Sequence, residues 1–162
     1  MYNQKFIEYY MGLADNTAKL SSARRLQVGC VIVRDQHILA TGYNGTPTGW
    51  DNNCEDLEVT YDERDTHPSG DWKYDKQTKQ WSRLKTRPEV LHAESNGLMK
   101  IAKSTESSFG ATLFSTHAPC MECSKLIYQA GIKKVYYRDA YRSTAGIDFL
   151  TKGGIEVEQY TG

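Results

Sequence analysis

Apolar positions recur at helical spacing over residues 2 to 20, through Phe6, Tyr10 and Leu13 and through Met11, Ala14 and Ala18, so the chain is expected to open with an amphipathic helix. Ser21 to Arg25 is a polar bend. Leu26 to Val33 is dense in β-branched residues and reads as a buried strand, Arg34 to Gln36 turns, and His37 to Thr41 returns as its hairpin partner. Gly42 to Gly49 then packs three glycines and a proline into eight residues, an irregular loop whose backbone is able to approach a ligand, with Asn44 offering a donor and an acceptor.

Residues 51 to 88 lack apolar periodicity and read as an insertion. Its acidic residues come first, from Asp51 to Asp71, and its basic ones after, from Lys73 to Arg87, so the halves are suited to pair with each other or with a neighbouring subunit. Within it, Trp72 to Trp81 looks like a small hairpin with aromatic cross-strand partners. A connection this long in a compact domain is usually functional or an assembly element. Pro88 suits the first position of a helix running to about Ala102; Ala111 to Thr116 is a strand, Pro119 to Ala130 a helix closed by Gly131, and Lys133 to Tyr137 another strand. Ser143 to Lys152 is a short helix, and Ile155, Val157 and Gln159 alternate as a last strand. The sum is a single α/β domain over residues 1–162, a three-layer α/β/α sandwich around a mixed five-stranded sheet.

Composition narrows the partners. Twenty basic and twenty acidic residues cancel, which removes the electrostatic footprint of a nucleic-acid binder and leaves room for a small anionic substrate in a local basic pocket. No apolar run reaches membrane-spanning length, so no membrane partner is expected. The first residues carry neither the apolar stretch nor the cleavage site of a secretory signal, which points to the cytoplasm and to reduced thiols. The four cysteines are then better read as metal ligands than as disulfides.

Two short segments carry the chemistry: Val90-Leu91-His92-Ala93-Glu94 and Ala118-Pro119-Cys120-Met121-Glu122-Cys123. His92, Cys120 and Cys123 make three ligands for Zn2+, one fewer than a closed structural site takes, which leaves a position for water or substrate. Cys120 and Cys123 at the start of a helix share one face, and the helix dipole favours their thiolates. His92 and Glu94 lie about 200° apart on a regular helix, so they converge only from its opening turn, beneath a site over the helix end. Glu94 is left as the carboxylate placed for proton transfer, and Glu122 as an outward residue. His117 is the nearest candidate for a fourth ligand or a pocket wall. Arg24 and Arg25 stand where a guanidinium is able to reach a phosphate. Cys54 and His67, inside the insertion, are candidates for a second, structural metal.

His92-Ala93-Glu94 followed by Pro119-Cys120-Met121-Glu122-Cys123 resembles the H-x-E…P-C-x-x-C signature of zinc-dependent nucleoside and nucleobase deaminases. Within that family the chain is similar to the deoxycytidylate (dCMP) deaminases, through Gln27 to Val33, Thr41 to Gly49, the long insertion, Lys125 to Lys133 and Asp139-Ala140-Tyr141. The resemblance implies catalytic Zn2+, hydrolysis of dCMP to dUMP and ammonia with Glu94 moving the proton, and dUMP supply for thymidylate synthesis. It also implies a hexamer activated by dCTP and inhibited by dTTP, each with Mg2+, at a site including Gly42, Tyr43, Asn44 and Gly45. Substrate contacts are implied near Asn44, Ala93 and Tyr141, with Arg24, Arg25 and Arg142 open as the phosphate ligand.

Overall fold

The computed structural model of the chain describes residues 2–60 and 71–162. In order these form α1 (Gln4–Ala18), β1 (Gly29–Arg34), β2 (His37–Tyr43), β3 (Glu55–Thr60), β4 (Lys73–Asp75), β5 (Gln80–Thr86), α2 (Ala93–Ala102), β6 (Thr112–His117), α3 (Met121–Gln129), β7 (Lys134–Asp139), α4 (Ala145–Lys152) and β8 (Glu156–Gln159). The main sheet has the order β2-β1-β6-β7-β8, antiparallel on the β2 and β1 side and parallel from β6 to β8. It is the mixed five-stranded sheet expected.

Strand alternation sorts the core into two layers. Val31, Val33, Phe114 and Tyr136 face the buried stripe of α1, made of Ile7, Tyr10, Met11 and Ala14. Cys30, Ile32, Leu113 and Val135 face the other way, against Ala93, Leu98 and Ile101 of α2, Ile127 of α3 and Leu150 of α4. Asn3 starts α1 by accepting the Phe6 amide at 3.2 Å. Gly42 is where β2 and α2 touch: a β-carbon there would overlap the Ala93 carbonyl and the Gly97 amide.

Several boundaries differ from the sequence expectation, and four of them lie near the pocket. β1 begins at Gly29 rather than Leu26, because the Asn44 side chain takes the Val28 amide and the Leu26 carbonyl, both at 2.8 Å, ahead of the ladder. β2 runs on to Tyr43, so Gly42 and Tyr43 are strand residues rather than loop. α2 begins at Ala93, not Pro88: Leu91 exchanges backbone hydrogen bonds with Gly45, and the chain stays extended through the His92 N-cap, at φ −81° and ψ 154°. α3 begins at Met121 with Cys120 as its N-cap, which leaves Pro119 outside the helix.

The insertion is more ordered than its pattern suggests, since β3, β5 and β4 form a second, antiparallel sheet. Tyr74 and Trp81 pair across strands with ring centres 5.1 Å apart, as the hairpin reading expects. Its charges pair internally, Glu58 with Arg83 at 2.7 Å and Lys85 at 2.9 Å, and Asp56 with Arg87 at 2.8 Å.

Candidate functional site

The parallel half of the main sheet directs β6 into α3, and the antiparallel Gly45 and Leu91 bridge delivers the chain to α2, so two helix N-termini meet at one sheet edge. His92 and Cys120 are the two N-caps, and Cys123 lies in the first turn of α3. His92 Nδ1 lies 3.5 Å from Cys120 Sγ and 3.4 Å from Cys123 Sγ. The donor atoms of the three residues all fall within 4.8 Å of one another. Two thiols and one imidazole are the donor set zinc takes, and three protein donors leave its fourth position open.

The electrostatics suit a cation. The Cys123 thiol hydrogen-bonds Cys120 and, with His92, holds its thiol down to about 3, so Cys120 is a thiolate at neutral pH. The same contact and burial push Cys123 up, and a bound cation would displace that proton. His92 is raised, first by its hydrogen bond with Cys120.

Glu94 lies in the first turn of α2 at 4% exposure, and burial raises its carboxyl above the ordinary range. His117 turns away from the metal donors. Its Nδ1 meets Thr116 Oγ1 at 3.0 Å and its Nε2 lies 3.6 Å from Asp139 Oδ2. Burial lowers its pKa. It is a wall of the pocket rather than a member of the donor cluster.

That pocket, about 350 Å³, is lined by His92, Ala93, Glu94, His117 and Cys120 at its floor. Asn44 and Tyr141 line it too, as do Arg25, Arg142 and Asp71. Asn44 spends one donor and one acceptor on Leu26 and Val28, which leaves one of each. Of the two neighbouring arginines, Arg25 borders the pocket, whereas Arg24 turns its guanidinium to Asn53 Oδ1 and the Glu55 carbonyl, each at 2.9 Å. Gly42, Tyr43 and Gly45 are not among the pocket's lining residues; Tyr43 instead lies under Lys100, 5.9 Å from ring centre to Nζ.

Glu55 is a functional-site residue that sequence reasoning missed. Its side chain is 1% exposed and accepts the backbone amides of Arg24 and Arg25 at 3.1 to 3.2 Å, which fixes the turn that aims Arg25 at the pocket. No signal in the pattern separates it from the other acids of the insertion. Cys54 is buried beside Ala23 and Val90, and His67 lies outside the described residues.

A model of the cytidine and deoxycytidylate deaminase zinc-binding region matches residues 4–139. The chain belongs to that family. It is 41% identical to the dCMP deaminase of cyanophage S-TIM5, whose crystal structure was determined in complex with dCMP and dUMP; the match covers 99% of this chain and 100% of that one, with a TM-score of 0.79. The deoxycytidylate deaminase of Mycobacterium phage D29 is 35% identical over 133 residues, 80% of this chain and 91% of its own length. The Schizosaccharomyces pombe deoxycytidylate deaminase is 33% identical over 94% of this chain, which spans 43% of that longer protein. As a member of this family the chain is a zinc-binding hydrolytic deaminase.

Proposed function

We propose that this protein deaminates dCMP to dUMP and ammonia and so supplies dUMP for thymidylate synthesis in the cytoplasm. The observation that carries the reading is a buried Glu94 beside the His92, Cys120 and Cys123 donors, in a pocket whose rim holds Arg25 and Arg142. The similarity over its whole length to a phage dCMP deaminase supports it.

When bound by His92, Cys120 and Cys123, zinc supplies water acidified to a pKa of about 7. Glu94 performs the proton transfers. Burial, which raises its pKa, suits a carboxyl that takes up a proton, holds it at the ring nitrogen N3 of cytosine and passes it to the departing amine. Arg25 and Arg142 bind the 5′-phosphate through their planar forks. Tyr141 packs against the nucleotide, the remaining donor and acceptor of Asn44 meet its sugar or base, and Ala93 borders the base.

We assign effector contact to Gly42, Tyr43, Asn44 and Gly45, with dCTP activating and dTTP inhibiting as Mg2+ complexes. What supports this is the bonding of that segment to the catalytic helix: Asn96 donates to the Tyr43 carbonyl at 2.8 Å, and Gly45 pairs with Leu91. A homo-hexamer agrees with the exposed Leu57 and Val59 on β3, an edge strand whose apolar side chains invite a neighbouring subunit.

Ammonia release from dCMP, deoxycytidine, dCTP and a cytosine-containing single-stranded oligonucleotide tests the substrate. The reading expects dCMP to be preferred by kcat/KM. Preference for the oligonucleotide, or no release from any of the four, overturns it.

A further inference from the structure

At the rim of the pocket one carboxylate oxygen is shared by two guanidinium groups. Asp71 Oδ2 accepts from Arg25 Nη2 at 2.9 Å and from Arg142 Nη1 at 3.3 Å. These arginines come from distant parts of the chain, one after α1 and the other before α4, while Asp71 leads into β4 of the second sheet. Neither guanidinium has another carboxylate partner among the described residues. Arg25 is anchored besides by Glu55 on its backbone amide and by Thr86 Oγ1 at 3.4 Å from Nη1, and Arg142 lies over the Tyr141 ring, 5.9 Å from its centre.

We infer that Asp71 is a placeholder for the substrate's phosphate, occupying the Arg25 and Arg142 pair in the free enzyme and leaving it when a nucleoside monophosphate enters. The inference rests on the dCMP reading above. A carboxylate bridging two guanidinium forks is the nearest protein equivalent of a phosphate doing so, and the two anions repel each other if both stay. Phosphate wins the exchange because it brings up to two charges and three oxygens to donors that Asp71 engages through a single oxygen. Arg25 holds the Asp71 carboxyl below the ordinary carboxylate range, so it remains an anion at neutral pH and the competition is always present.

Two consequences follow for specificity. The arginines are kept neutralised and ordered while the pocket is empty, so an unphosphorylated nucleoside gains nothing from them. A phosphorylated one must first displace Asp71, and its affinity is set below what the arginine pair alone would give. Asp71 is thus a specificity-determining residue, although it need not touch the substrate.

The test is Asp71→Asn, with Asp71→Ser as a second variant and thermal unfolding to verify that both are folded. The expected result is a rise of about threefold to tenfold in the dCMP to deoxycytidine ratio of kcat/KM, carried by a lower KM for dCMP, which is the range two part-exposed ion pairs supply. A KM for dCMP that stays put or rises in both folded variants overturns the inference, because Asp71 would then be irrelevant or would be holding the arginines in their productive geometry. Calorimetric titration of inorganic phosphate into the zinc-loaded wild type and Asp71→Asn protein reads the same competition without turnover. Tighter phosphate binding by the variant supports the placeholder, and equal or weaker binding overturns it. Should the wild type release no ammonia from dCMP, the substrate reading fails by itself and the phosphate titration still decides the role of Asp71.

Discussion

Gly45 and Leu91 exchange a pair of backbone hydrogen bonds, the Leu91 amide to the Gly45 carbonyl at 2.8 Å and the Gly45 amide to the Leu91 carbonyl at 3.0 Å. The bridge fixes the residue before His92 to the loop after β2. A nucleotide bound at Gly42 to Gly45 would therefore act on the mouth of α2 directly. With dCTP and Mg2+ present, the Leu91 amide is expected to exchange its hydrogen more slowly, and a sigmoidal dependence of rate on dCMP is expected to become hyperbolic. Exchange at Leu91 and a rate curve both indifferent to dCTP and dTTP would remove the effector assignment.

Glu94 sits in a dry position that no other carboxylate of the two motifs shares. Glu94→Gln keeps the shape and removes the proton carrier, so kcat is expected to fall about 10²- to 10⁴-fold. Zinc content, read by metal analysis, should stay at the wild-type level. Near-normal turnover in the zinc-loaded variant would assign the proton transfer elsewhere.

Gly146 in the first turn of α4 lies against the loop that carries Cys120, and a β-carbon there would overlap the Pro119 carbonyl oxygen, Ser124 Oγ and the Cys120 backbone. Two of those neighbours are main chain and have little freedom to give way. Gly146→Ala is expected to destabilise the fold by about 1–3 kcal/mol, as overpacking of a tight contact does, and to weaken zinc retention against a chelator. Denaturant unfolding with a zinc competition assay measures both; wild-type values in each would mean the contact relaxes without cost.

Arg138 links three elements around the pocket wall. It donates to Asp139 Oδ2, 2.8 Å from Nη2, and to Asp15 on α1, and His117 approaches the same Asp139 oxygen. The Arg138 hydrogen bond holds the Asp139 carboxyl below its ordinary value. Because the folded pKa is lowered, the stability it contributes is present above the unfolded pKa of about 3.9 and is lost as pH falls through the folded value. Asp139→Asn should therefore be less stable than wild type at pH 7, with the gap closing below about pH 4. Unfolding midpoints of the two proteins across that range are the measurement, and a gap independent of pH would contradict it.

The grouping of His92, Cys120 and Cys123 near Glu94 was legible because it depends on local spacing: Cys120 and Cys123 come together wherever a helix starts near Pro119, and His92 with Glu94 need only a helix end. The start of α2 was not. Pro88 is a good first helical residue by local preference, and what overrides it is a hydrogen bond partner 46 residues away, Gly45 for Leu91. Strand β3 of the second sheet escaped for a related reason, whereas the β4 and β5 hairpin was expected. Glu55, Leu57 and Val59 do alternate with polar residues, but Leu57 and Val59 remain exposed, and the buried member of that face is a carboxylate satisfied by backbone amides. No apolar periodicity records such a contact.

The second sheet also divides the labour of the pocket. The metal donors and Glu94 lie at the starts of α2 and α3, while Glu55, Leu84 and Thr86 of β3 and β5 line the same pocket and Glu55 and Thr86 steady Arg25. β5 belongs to a different hydrogen-bonded sheet from the one that packs against α2 and α3, and none of its residues is a metal donor, so its side chains are open to exchange without replacing one. On the proposed reading, substrate range in this chain is an interchangeable fitting on a fixed reaction centre.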